Sequence, residues 1–380
     1  MTDDIRTSAS SAQEPIDTPE DGFAPIVRFD AIDAAWMTRA LRGAGVLADG
    51  RVVDVAREPC GTGQLADSFR FTLSYDVPGA GPPTVVGKFP SDDPASRDFG
   101  RRSGYYRNEI RFYEEIATTL SIAVPTPLHA ALAPDETEFV LLMEDLSPAR
   151  IVDQLHGLSA DEAAVALEQM ARVHAGSWRR ADPAEVGWLG GTVASFGQVT
   201  DAFPALTASF ADTYGDLVPQ ADVDEAAQLN GFLDAWKSVL ATPQCLWHSD
   251  LRADNLMFDV HGGERPVALL DWQGVGYGRG TIDVAYFVGT SLDTEVRRAH
   301  ERDLVAAYHR SLVAHGVEGY SWDDCWLDHR LAAVHALQTG IFGLGAVKRS
   351  ARGDAMWRNW IGRAAEHTRD LESFDVLAAW

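Results

Sequence analysis

Eight consecutive residues, "HSDLRADN" (248–255), carry one imidazole, two carboxylates, a guanidinium and an amide between the apolar runs "CLW" and "LMF". Asn255 follows Asp250 by five residues, and a further carboxylate, Asp271, ends the apolar run "ALLD". If the two short hydrophobic pieces "LMFDV" and "PVALLDW" pair as a hairpin, Asp250, Asn255 and Asp271 reach one edge. An amide and a carboxylate side by side suit Mg²⁺, which takes few hard oxygen ligands from a protein and fills its shell with water and phosphate. Asp250 is then left to orient or deprotonate an attacking hydroxyl. By itself, a His-x-Asp pair reads equally well as capping and turn residues.

Phosphoryl transfer also needs a cation on the nucleotide phosphates and a partner for that cation. Lys88 stands inside the apolar strand pattern "VVGKF", where a lysine is costly unless its charge is paired. Glu109, in the helical pattern that follows, is the natural partner. Upstream, "CGTGQLADSF" (60–69) carries Gly61 and Gly63, which allow backbone amides close to a phosphate. A plain hairpin turn would look the same.

The elements that must position these groups change character along the chain. The pattern predicts a helix over 30–45 with Asp30 as a possible cap, then strands at 51–59, 68–77 and 84–89, a breaker-rich turn at 78–83, and a helix over 104–121. Two more strands are expected in "PTPLHAALA" and "EFVLLMEDL". Beyond residue 146 helices dominate. A capping-box pattern, Ser159 with Glu162, opens one at 159–178, and others are expected at 223–241, 293–315, 322–348 and 354–373. The expected organisation is an acidic flexible tail at 1–25, a β-rich nucleotide-binding lobe at 26–145 and a helical lobe at 146–380. The fold class is α+β.

In this order, the glycine loop, Lys88, Glu109, "LLMEDL", "HSDLRADN" and "LLDWQ" resemble the protein-kinase-like superfamily. They resemble most its small-molecule branch of aminoglycoside phosphotransferases, choline kinases and ecdysteroid-kinase-like proteins. "DWQ" followed by "TIDVAYFVGTSL" is most similar to the ecdysteroid-kinase-like group. The resemblance implies a bilobal fold and an ATP- and Mg²⁺-dependent O-phosphotransferase. It implies that Lys88 holds the α/β-phosphates with Glu109 as its ion-pair partner. Backbone groups from Met143 through Glu144 to Leu146 would meet the adenine. Asp250 would handle the acceptor hydroxyl, and Asn255 and Asp271 would ligate Mg²⁺. Arg252 would touch the transferred phosphate, His248 would support the loop, and Asp283 would brace it from the next helix. The first loop lacks a third glycine, and Asp254 has no role in the pattern beyond a structural bond.

Only eleven residues separate Asp271 from Asp283, and no APE motif follows. That leaves little room for a peptide-docking platform, so a small hydroxyl compound is the expected acceptor. Aminoglycoside, choline-like, sugar and steroid-like acceptors all remain open. Trp322, Trp326, Trp357 and Trp360 read as core at helical spacing, with walls of an acceptor pocket as the other possibility. His174 reads as a structural histidine, and "DVHGGERP" (259–266) as a hairpin loop.

A net charge of −24 over 380 residues argues against a nucleic-acid partner. No apolar run is long enough to span a membrane, and three scattered cysteines show neither a disulfide framework nor zinc spacing. A cytoplasmic location is expected. Two other functions compete: a nucleotide-binding pseudokinase acting through partner contacts, and a metal-dependent hydrolase using His248 and its neighbouring aspartates. The hydrolase leaves Lys88 and Glu109 unexplained.

Overall fold

The computed structural model describes residues 23–61, 65–120, 122–179, 187–242, 244–346 and 351–380. The first of the two lobes is built on five antiparallel strands. In chain order these are β1 (Val52–Pro59), β2 (Ala66–Tyr75), β3 (Thr84–Pro90), β4 (Pro127–Leu132) and β5 (Phe139–Glu144), arranged β1-β2-β3-β5-β4. Alternation along the strands gives the sheet two different faces. On the outer face Phe71, Val85, Phe89, Val140 and Leu142 pack against Trp36, Met37 and Leu41 of helix α1 (Ala34–Gly43). The other face carries Lys88.

The cap of α1 is Asp33, whose side chain accepts from the Trp36 amide at 2.7 Å. The expected Asp30 sits instead in a 3₁₀ turn, Phe29–Ala31, that precedes the helix. Of the expected tail, residues 1–22 lie outside the described residues; Phe23 packs against Trp36 and His129.

Between β3 and β4 the chain makes a helix that the hydrophobic pattern did not predict, α2 (Pro94–Arg102). Asp93 caps it, accepting from Ala95 and Ser96, and Pro94 occupies its first turn. The helix predicted over 104–121 forms as α3 (Tyr105–Arg111) and then widens into a π-helical turn, Phe112–Ile116.

The second lobe is mostly helical. Its first long helix, α4 (Ala160–Ser177), has the expected reciprocal cap between Ser159 and Glu162. The helix Gly190–Tyr214 was not predicted, and the one predicted over 223–241 breaks at a 3₁₀ turn, Leu229–Gly231. The run 322–348 divides into Trp322–Ala332 and Val334–Ala346. Small strands frame the polar loop. They are β6 (Arg150–Ile151), β7 (Cys245–Trp247), β8 (Leu256–Asp259), β9 (Arg265–Leu269) and β10 (Gly276–Gly278), with β6-β8-β9 forming one sheet and β7-β10 another.

The expected hairpin is β8–β9, with Leu256 opposite Leu269. Its turn runs through Asp259, His261, Gly262 and Gly263, all at positive φ. Trp357 and Trp360 lie in the helical core, whereas Trp322 and Trp326 are half-buried near the surface, with Arg302 over both rings. No helix among the described residues is long and apolar enough to cross a membrane.

Candidate active site

Lys88 leaves the inner face of β3 and meets two carboxylates. Its Nζ lies 2.7 Å from Glu109 Oε2 and 2.8 Å from Asp271 Oδ1. Burial alone would lower the lysine pKa, but Asp271 and Glu109 together hold it above its ordinary value. Burial pushes Glu109 up against the pull of Lys88, with Asp271 adding to the rise; at Asp271 burial also pushes upward, but Lys88, with His248 and Arg252, holds that carboxyl below its ordinary value.

The position of Glu109 follows from how α3 is seated. Asn108 donates to the Gln273 carbonyl at 3.3 Å, and Phe112 stacks on Trp272. Asp271 itself has φ +63°, a left-handed conformation uncommon for aspartate, and it is anchored by the buried Trp272 that follows.

The polar loop hangs from β7 and is fixed by Asp283, on the helix Gly280–Ser291. This fully buried carboxylate accepts from the His248 amide (2.6 Å), the Ser249 amide (2.8 Å) and His174 Nε2 (3.2 Å). His174 and Asp283 thus meet at the base of the loop. The Asp250 amide donates to His248 Nδ1 at 3.3 Å, so the ring proton belongs on Nε2, which reaches the Leu270 carbonyl at 2.8 Å. His248 thus ties the loop to the strand end that carries Asp271.

Asp250 is held by three donors. Tyr286 Oη donates to Oδ1 at 2.8 Å, Asn255 Nδ2 to Oδ2 at 3.0 Å, and Arg252 Nε stands 3.2 Å from Oδ1. Asn255 Nδ2 also reaches the Asp250 carbonyl at 2.8 Å. The Arg252 guanidinium is shared with Asp254, whose other oxygen accepts from the Gln154 amide at 3.2 Å. Asp254 therefore bridges Arg252 and the 153–155 turn. The head of Arg252 is engaged by both aspartates.

Two tyrosines were not singled out from the sequence. Tyr286 lies one helical turn beyond Asp283, and Tyr105 opens α3. Burial, with Asp250 and Asp271 nearby, pushes the Tyr105 hydroxyl up to about 12; burial also drives Tyr286 well above its ordinary value.

The segment Met143–Leu146 joins the lobes. The Glu144 amide donates to the Thr126 carbonyl at 2.9 Å, and the Leu146 carbonyl accepts from the His261 amide. The Glu144 side chain meets His261 Nε2 (2.7 Å) and Arg265 (2.6 Å). Gly61 has φ +78°, which suits a tight loop, while Gly63 lies outside the described residues. A separate cluster, Glu301 with His329 and His367, is buried among three helices. Arg297 takes the second carboxylate oxygen, while His329 and His367 both reach the first.

No curated protein matches the chain. Among solved structures, a microcompartment-associated aminopropanol kinase is similar at 15% identity over 90% of this chain and 99% of that chain, with a TM-score of 0.52. The GDP complex of wild-type aminoglycoside 2′-phosphotransferase-IIIa is similar at 14% identity over 85% of this chain and 94% of that chain, with a TM-score of 0.48. The fold is the bilobal, protein-kinase-like one. A model of the ecdysteroid kinase-like family matches residues 69–317, from the middle of β2 to beyond the polar loop and its bracing helix, and the chain belongs to that family.

Proposed function

We propose that the protein is an ATP-dependent, Mg²⁺-requiring O-phosphotransferase whose acceptor is a hydroxyl of a small molecule. The observation that carries this reading is the joint geometry of two sets. Lys88 is clamped between Glu109 and Asp271 on one side of the cleft, and Asp250 is held in one orientation by Tyr286, Asn255 and Arg252 on the other.

The donor set fits Mg²⁺. The amide nitrogen of Asn255 is spent on Asp250, which leaves its carbonyl oxygen as a hard ligand beside the Asp271 carboxylate. When bound there, the ion would neutralise charge on the nucleotide phosphates. Lys88 would hold the same phosphates, with Glu109 keeping the ammonium in place. Asp250 would align the acceptor hydroxyl and take its proton as the oxygen bonds to the γ-phosphorus and the bond to the β-phosphate oxygen breaks. His248 and Asp283 act through the loop, not on the substrate.

A peptide acceptor is disfavoured by the chain after Asp271. It turns at Trp272–Gly274, pairs β10 with β7 and enters the helix at Gly280, with every residue from Gly274 to Leu292 buried. The solved aminopropanol kinase is named for a small amino alcohol, which agrees with a small acceptor without identifying the one used here.

The test is ATP consumption across a panel of small hydroxyl compounds, with Mg²⁺ and with the ion chelated. Turnover that disappears on chelation supports the reading. Nucleotide binding without turnover of any acceptor would support a pseudokinase instead.

A further inference from the structure

The row of inner-face residues next to Lys88 contains an unexpected side chain. Register places Lys88 opposite Ser68 of β2, and Val86, two residues back along β3, opposite Arg70. Val86 in turn faces Met143, the first residue of the inter-lobe segment. Arg70 alternates with Phe69 and Phe71, which point to the outer face and its α1 packing. Arg70 therefore shares the cleft side with Lys88, displaced toward the inter-lobe segment by two residues, about 6.7 Å of strand.

Its guanidinium is held there. Nε donates to Asp145 Oδ2 at 2.7 Å and a terminal nitrogen donates to Ser147 Oγ at 2.8 Å. Asp145 is buried, whereas the Arg70 side chain keeps 33% of its surface exposed, with Glu58 of β1 at 3.7 Å from its other terminal nitrogen. Across the cleft, Met257 lies two residues after Asn255 on β8, and Leu270 lies immediately before Asp271. Both are half-buried apolar groups packed on Leu146 and Ala268.

We propose that Arg70 is the ceiling of the nucleotide base pocket, its guanidinium plane fixed by Asp145 and Ser147 so that a purine stacks between it and the floor of Met257 and Leu270. This rests on the nucleotide reading above. With the phosphates at Lys88, the base falls beneath the row Arg70–Val86–Met143. A guanidinium stacks on the face of an aromatic ring, and the larger π surface of a purine gains more from it than a pyrimidine. Lysine has no plane to offer and does not substitute for it.

Calorimetric titration of the full chain in Mg²⁺ buffer tests this with three probes: ADP, CDP and inorganic tripolyphosphate, which has no base. Wild type should bind ADP more tightly than CDP. Arg70→Met should weaken ADP roughly fivefold to thirtyfold, narrow the gap to CDP and leave tripolyphosphate unchanged. Arg70→Lys should share the loss of ADP affinity. The proposal is overturned if Arg70→Met binds ADP as wild type does, or if it loses ADP and tripolyphosphate equally. Wild type binding tripolyphosphate without preference for ADP also overturns it. Wild type binding none of the three probes would overturn the nucleotide reading itself.

Discussion

Phe112 and Trp272 lie face to face, with ring centroids 4.1 Å apart and planes 6° from parallel. Each follows closely on a carboxylate that holds Lys88: Phe112 stands three residues beyond Glu109, and Trp272 directly after Asp271. His248 packs on the same indole, with centroids 4.5 Å apart. One stacked pair thus sets the distance between helix α3, the residues after Asp271 and the polar loop.

If that stack is a coupling element, its loss should not be additive. Trp272→Phe and Phe112→Leu, with the double variant, form a cycle readable by urea unfolding. A coupling of about 0.5–1.5 kcal/mol is expected for an aromatic pair of this geometry. Simple additivity of the two single losses would mean the rings merely share a core.

Asp283 should dominate the stability of the loop. Asp283→Ala removes the acceptor for two buried amides and His174, so a loss of about 3–5 kcal/mol is expected in chemical denaturation. Asp283→Asn keeps one acceptor oxygen and should lose less. Equal, small effects from both variants would show that the amides find other partners.

The residues that the structure brings together at the candidate site were readable because each stood out against its surroundings: a lysine in an apolar strand, a polar octet between hydrophobic anchors, an aspartate closing a buried run. The residues that went unread lacked such contrast. Tyr286 is one aromatic among apolar neighbours in "DVAYFVG"; its spacing of three from Asp283, which puts both on one helix face, was the available signal. Arg70 sits on the polar side of an ordinary alternating strand, and only the register with Val86 shows what it faces. Helix Gly190–Tyr214 carries many small residues and Pro204 inside, which blurs its period. Helix α2 is too polar for a hydrophobic pattern, though Asp93-Pro94 marks its start. The break at Leu229–Gly231 shows a local Asn-Gly overriding a continuous helical period.

Tyr286→Phe deletes one of the donors on Asp250 while keeping the ring, which sits edge-on to Trp360 at 5.5 Å. For an accepted substrate kcat should fall roughly tenfold or more, with KM little changed, because the hydrogen bond is to a charged group. A change confined to KM would place Tyr286 in acceptor binding instead.

His335 gives a pH prediction. It is fully buried, ringed by Phe196, Trp236, Trp247 and Tyr286, and neither ring nitrogen has a hydrogen-bond partner among the described residues. Burial lowers its pKa from 6.5 to about 4, against a smaller opposing pull from Asp283. The unfolded chain therefore binds this proton more readily than the folded one. Stability is lost as pH falls from about 6.5 to about 4, by an amount on the order of 3 kcal/mol from this group. His335→Phe should flatten that part of the curve, raising the melting temperature at pH 5 more than at pH 7.5. Parallel curves for the two proteins would show that His335 does not titrate in this range.

The central claim is that Asp250 acts on the acceptor hydroxyl while Lys88 and its carboxylates hold the nucleotide. The most direct measurement compares wild type and Asp250→Asn for phosphorylated product, with an accepted hydroxyl compound, and for ADP affinity in the same preparation. The account predicts a loss of about a hundredfold or more in kcat with ADP affinity retained. Product formation at the wild-type rate, or loss of ADP affinity in step with activity, would contradict it.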